Sequence, residues 1–111
     1  MASSLDGHQA FVDVLRQSVL EGPGETDPAL RDRIAARASG GPPIEAPYDV
    51  LAYQIGEAAG RATDAQVASV LTAVGSEKAA FELIVAAATG AGLRRWQLAV
   101  TALKDAADAP A

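Results

Sequence analysis

The chain of 111 residues contains no cysteine and a single histidine, His8. Without thiols there is no disulfide, no thiolate metal site and no sulfur nucleophile. One imidazole cannot build a histidine-rich metal centre. Aromatic residues are only 5% of the chain, so a core has to be built mainly from aliphatic side chains. Basic residues are outnumbered, nine against fourteen acidic ones, for a net charge of −5. With no basic run beyond Arg94-Arg95, binding of nucleic acid through its phosphates is disfavoured. No basic segment followed by an apolar one opens the chain, so no signal peptide is read. The most apolar stretch, Ala79 to Gly92, contains Glu82 and is too short to span a bilayer. These absences lead to the expectation of a cytoplasmic protein with no membrane or nucleic-acid partner, no cofactor and no metal.

What is present is alanine, within a hydrophobic fraction of 50%. Alanine is the best helix former and lets helices pack closely. The expectation is a single all-α domain over residues 1–111, with a core from about 7 to 104 and a frayed polar tail over 105–111. Six helical segments are read. The first runs from about Gly7 to Leu20, with Phe11, Val12, Leu15 and Val19 as its apolar stripe, and Gly22-Pro23-Gly24 ends it. The second has Asp27 as N-cap and Pro28 at its first position. Leu30, Ile34 and Ala38 are placed inward there, and Arg31, Asp32, Arg33 and Arg37 mostly outward. Gly40-Gly41-Pro42-Pro43 is a break. The third starts at about Ala46 or Pro47 and ends at Ala59, with Gly60 as its C-cap. The fourth opens with the capping box Thr63-Asp64-Ala65-Gln66 and closes at Gly75. The fifth runs from Ser76 to Thr89 and is the central, most buried one. With Gly90 after the fifth, the sixth follows from Leu93 and carries Trp96, Val100 and Leu103 inward.

Two stretches carry a resemblance. One is "DPALRDRIAARAS" followed, after the break, by "APYDVLAYQIGEAAGRATDAQV". The other is "FELIVAAATGAGLRRWQLAVTAL". Their order, over Asp27 to Leu103, resembles the carboxymuconolactone decarboxylase and alkylhydroperoxidase-D-like family. The resemblance implies a compact helical fold that assembles into rings. A thin core in a small chain also gains stability from subunit contacts, so a homo-oligomer is expected, a trimer or hexamer first and a dimer next.

Peroxidase members of that family carry two cysteines three apart at the start of the third helix and a histidine four further on. The pattern falls here on Ala46, Asp49 and Tyr53. The family's proton-relay glutamate falls near Asp32 when Arg37 is matched to the family's arginine. Alanine and aspartate form neither a sulfenic acid nor a disulfide, so thiol peroxidase chemistry is excluded. The decarboxylase branch implies proton transfer instead. In that reading Asp49 is a general acid or base with a raised pKa, and Tyr53 donates a proton or a hydrogen bond. Against it stands a structural reading, in which Asp49 complements the start of its helix and Tyr53 packs at the edge of the core.

Tyr48 and Ala46 are ligand-contact candidates on the same stretch, and Asp32 is another. Glu82, an acid within an apolar helix, either points into a pocket with a raised pKa or pairs with Lys78, Arg94 or Arg95. Gly56, in mid-helix, is read as a close helix approach. Three functions follow: a cofactor-free lyase or isomerase acting on a small organic acid through Asp49, Tyr53 or Glu82; a binder of a small apolar ligand; and an oligomeric assembly or partner-binding protein.

Overall fold

A computed structural model describes residues 2–110. Among them there is helix and no strand. The helices are α1 (Ala2–Arg16), α2 (Pro28–Ala38), α3 (Tyr48–Ala58), α4 (Asp64–Val74) and α5 (Glu77–Asp108). A π-helical turn, Gln17–Glu21, extends α1, and a 3₁₀ turn, Ala59–Arg61, follows α3. Several boundaries follow the expected caps. Asp27 accepts from the Ala29 N–H with Pro28 at the first position. Thr63 and Gln66 form a reciprocal capping box, and Gly75 ends α4 in the left-handed region at φ 82°. Ser76 caps α5 through Ala79.

Five helices, not six, result because α5 runs unbroken through Gly90. That glycine is not a stop. A Cβ on it would lie 2.2 Å from the carbonyl oxygen of Ala35, so it is the residue that lets α5 and α2 touch backbone to backbone. Gly56 serves the same purpose between α3 and α2, where a Cβ would lie 2.2 Å from the oxygen of Ala38. The core gathers around these crossings. Leu83, Ala86, Ala87 and Ala91 of α5 meet Ile34, Ala35 and Ala38 of α2, with Leu51, Ala52 and Ile55 of α3 and Val70 of α4 closing it.

The first helix departs from its expected stripe. Leu20 in the π-helical turn is fully buried, but Phe11 is 70% exposed and Leu15 40% exposed. The cause is that α1 meets the rest of the molecule chiefly through that turn, which packs on α2 and α5. The second half of α5 is comparably bare. Leu103 is exposed rather than inward, Val100 and Trp96 are half-buried, and the helix continues through Asp108 where a frayed tail was expected. The body and this extended pair span 55 × 28 × 21 Å.

The third helix begins at Tyr48, with Ala46 left outside it. Proline disfavours the helical region for the residue before it, and here Pro47 excludes Ala46. The Glu45 carbonyl instead accepts from Tyr48 and Asp49, turning the chain into α3. The helix ends at Ala58, so Gly60 falls in the 3₁₀ turn rather than at a C-cap.

Candidate functional site

The expected site residues separate into two places. Asp49 and Tyr53 lie on α3 beside the end of α2, where both meet Arg37. The Arg37 Nε donates to Asp49 Oδ1 at 2.8 Å, and its Nη1 donates to the Gly41 carbonyl at 3.2 Å. Asp49 Oδ1 also accepts from the Ile44 N–H at 2.9 Å. The Arg37 guanidinium carbon stands 4.8 Å from the centre of the Tyr53 ring, within cation–π range. One arginine and one aspartate thus tie the start and the middle of the Gly40–Pro47 loop to the two helices. Arg37, placed outward by its position in the sequence, is half-buried in this clamp.

The electrostatics of Asp49 run opposite to the expectation of a raised pKa. The Ile44 N–H, then the hydrogen bond and charge of Arg37, stabilise the carboxylate and outweigh its desolvation, so its pKa is lowered from 3.8. Tyr53 is 49% exposed. Ala46 is exposed and off the helix, so it does not share a helical face with Asp49 and Tyr53. Asp32 is exposed and joins no ion pair among the described residues, while its neighbour Arg33 reaches Glu45 at 3.1 Å. Tyr48 packs against the core and borders a void of about 10 Å³ with Leu51 and Val70, no larger than one water requires.

Glu82 forms the second place, on α5 against the Gly22–Thr26 loop. Its Oε2 accepts from the Glu25 N–H at 2.9 Å, and its Oε1 accepts from the Thr26 N–H at 2.9 Å and the Thr26 hydroxyl at 2.7 Å. Gly24 permits this approach, since a Cβ there would be 2.7 Å from Oε1. The Glu25 N–H is the largest cause, followed by the Thr26 hydroxyl and N–H, of a pKa lowered to about 2. The raised pKa expected of an acid in an apolar helix is therefore reversed, because the loop brings donors to it. None of Lys78, Arg94 or Arg95 forms its ion pair among the described residues.

Two residues of this second place were missed by sequence reasoning. Arg31 is 3% exposed and Thr26 9%. Arg31 reaches back to the end of α1, donating to the carbonyls of Val19, Gly22 and Thr26. It satisfies acceptors that the helix leaves open and sits at the negative end of the helix dipole. Its spacing was the available signal: Arg31, Ile34, Ala35 and Ala38 share one helical face, and all four are buried.

A larger concave space lies elsewhere. A groove of about 480 Å³ runs between α1, α2 and the second half of α5. No set of three or more histidine, aspartate or glutamate residues placed to hold a metal ion occurs among the described residues, and no helix among them is long and apolar enough to cross a membrane. Comparison with protein-family models, with characterised proteins and with solved structures finds no match.

Proposed function

We propose that the chain is a carboxymuconolactone decarboxylase-like protein without thiol peroxidase activity that works as a non-catalytic, self-assembling module. The observation that carries this reading is the engagement of Asp49. A general base must offer a lone pair to a substrate at a pKa near the working pH. Asp49 instead has its carboxylate bonded to Arg37 and Ile44 and its pKa held low. Among the described residues, most of the large apolar side chains left exposed are Phe11, Val14 and Leu15 on α1 and Leu98 and Leu103 on α5, with Val50, Tyr53 and Phe81 exposed on the body. A second copy gives those on α1 and α5 a place to be buried. Light scattering on the purified protein is the test. An oligomer at micromolar concentration supports the module, and a monomer across the micromolar range refutes it.

A second reading, cofactor-free proton transfer on a small organic acid, is favoured by one observation. Asp49 and Tyr53 do meet, over a single guanidinium. In this reading Arg37 holds the substrate's charge and the half-exposed Tyr53 hydroxyl supplies the proton. Asp49→Asn and Tyr53→Phe are each expected to abolish turnover of a responsive substrate. Unchanged turnover in both variants rules out this site.

A further inference from the structure

We propose that the groove between α1, α2 and α5 binds a small organic carboxylate with an apolar body. Its size falls within the range of small-molecule sites, about 300–1,000 Å³. Val12, Leu93, Trp96 and Leu98 give it apolar walls, and Ala35 and Gly90, at the close crossing of α2 and α5, give it a floor of small residues. Two guanidinium groups, Arg16 and Arg94, line the same space. Neither is in an ion pair among the described residues. The Arg94 head is carried over Gly40, where φ is 99° and a Cβ would stand 2.8 Å from Nη1. The one acid of the groove, Asp13, accepts a hydrogen bond from Gln9 at 3.1 Å. The lining therefore carries one net positive charge in a chain whose net charge is −5.

That local reversal of sign selects a monoanion, and the walls select an apolar tail. Guanidinium and carboxylate match in geometry as well as charge, since two parallel N–H groups face two oxygens. The groove shares Leu98 with the apolar surface assigned above to self-assembly, but its two guanidinium groups are not part of that surface. The proposal concerns the inner wall of α1 and α5, and a ligand of this size fits it in one copy of the chain.

Trp96 is the only tryptophan; it borders both this groove and an apolar hollow beside His8 and Phe11, so the arginine variants locate any change in its fluorescence. The full chain is titrated with octanoate and, in parallel, with octanol, which has the same tail and no charge. A saturable change in Trp96 emission with octanoate, at concentrations where octanol does nothing, is the expected result. Arg94→Gln is expected to weaken octanoate about tenfold, the loss of a charge-assisted pair. Asp13→Asn, which removes the opposing charge, is expected to tighten it. Arg16→Gln checks the second guanidinium should Arg94→Gln fail to fold. Four outcomes overturn the proposal: no saturable change, an equal response to octanol, octanoate binding unaltered in both arginine variants, or a Trp96 signal that follows protein concentration rather than octanoate. The last means that a second copy reaches Trp96, which leaves self-assembly standing while the ligand site falls.

Discussion

At the scale of the residue, charged groups in this molecule act mostly on its own backbone. Arg31 and Glu82 converge on Thr26 from opposite sides, one on its carbonyl and the other on its N–H and hydroxyl. Together they hold the segment that joins α1 to α2. Replacing Arg31 with Leu keeps the bulk but strands the carbonyls of Val19 and Gly22. An unmet buried acceptor costs about 1–3 kcal/mol, so a loss of that size is expected in urea unfolding. Glu82 makes an expectation about pH. Its folded pKa, about 2, lies below its ordinary value of 4.5. Its contribution to stability is therefore complete above about pH 4.5 and is lost as the pH falls towards 2. The thermal midpoint of Glu82→Gln should lie below wild type at pH 7, and the gap should narrow on acidification below 4.5. A gap that stays constant down to pH 2.5 removes Glu82 from this role. Arg31 was placed outward although its spacing with Ile34 and Ala38 marked the buried face. Its partners were not legible, because Val19, Gly22 and Thr26 reach it only once the chain has turned at Pro23 and Gly24.

At the scale of the element, the caps were the most legible part of the sequence. A cap is a local bargain between a side chain and N–H groups two or three residues away, and Asp27, Thr63, Gln66, Gly75 and Ser76 all act where their types indicate. Gly90 was misleading for the converse reason. A glycine is favoured both where a helix stops and where another backbone presses on it, and only the fold distinguishes the two. The periodicity did continue across it, since Leu83, Ala87, Gly90 and Ala91 share a stripe and all are buried. Gly90→Ala separates the two meanings. In an open helix alanine is favoured over glycine by about 1 kcal/mol. Here its methyl group would stand 2.2 Å from a backbone oxygen, and neither helix can give way without the other. Overpacking of this kind costs about 1–3 kcal/mol, which outweighs the gain in propensity. Gly90→Ala is expected to lower the thermal midpoint, and Gly92→Ala, where a Cβ meets nothing within 4 Å, to raise it. Equal effects at the two positions contradict the close crossing.

At the scale of the whole molecule, the radius of gyration is 15.8 Å, against about 13 Å for a compact domain of this length. The excess lies in α1 and the second half of α5, which also carry most of the exposed large apolar side chains. This was the least legible feature. The stripe of Phe11, Val12 and Leu15 marks an apolar face, but amphipathic spacing does not state whether that face is covered by the same chain or by another. If another copy covers it, the consequence for Phe11 is large. Burying a phenylalanine side chain is worth about 1.5–3 kcal/mol relative to leaving it in water, and every 1.4 kcal/mol is tenfold in affinity. Phe11→Glu loses that gain and adds the cost of desolvating a charge, so association should weaken by at least about tenfold. Leu103→Glu should act in the same direction from the other helix. Neither residue belongs to the buried core, so a monomer produced by either change should keep its helical circular dichroism. Sedimentation velocity of wild type and both variants over a hundredfold range of concentration separates the cases. Dissociation to a folded monomer assigns the bare faces of α1 and α5 to self-association. An oligomer of unchanged strength in both variants places the contact on the body instead, and a wild type that is monomeric throughout leaves the two faces with no second copy to bury them.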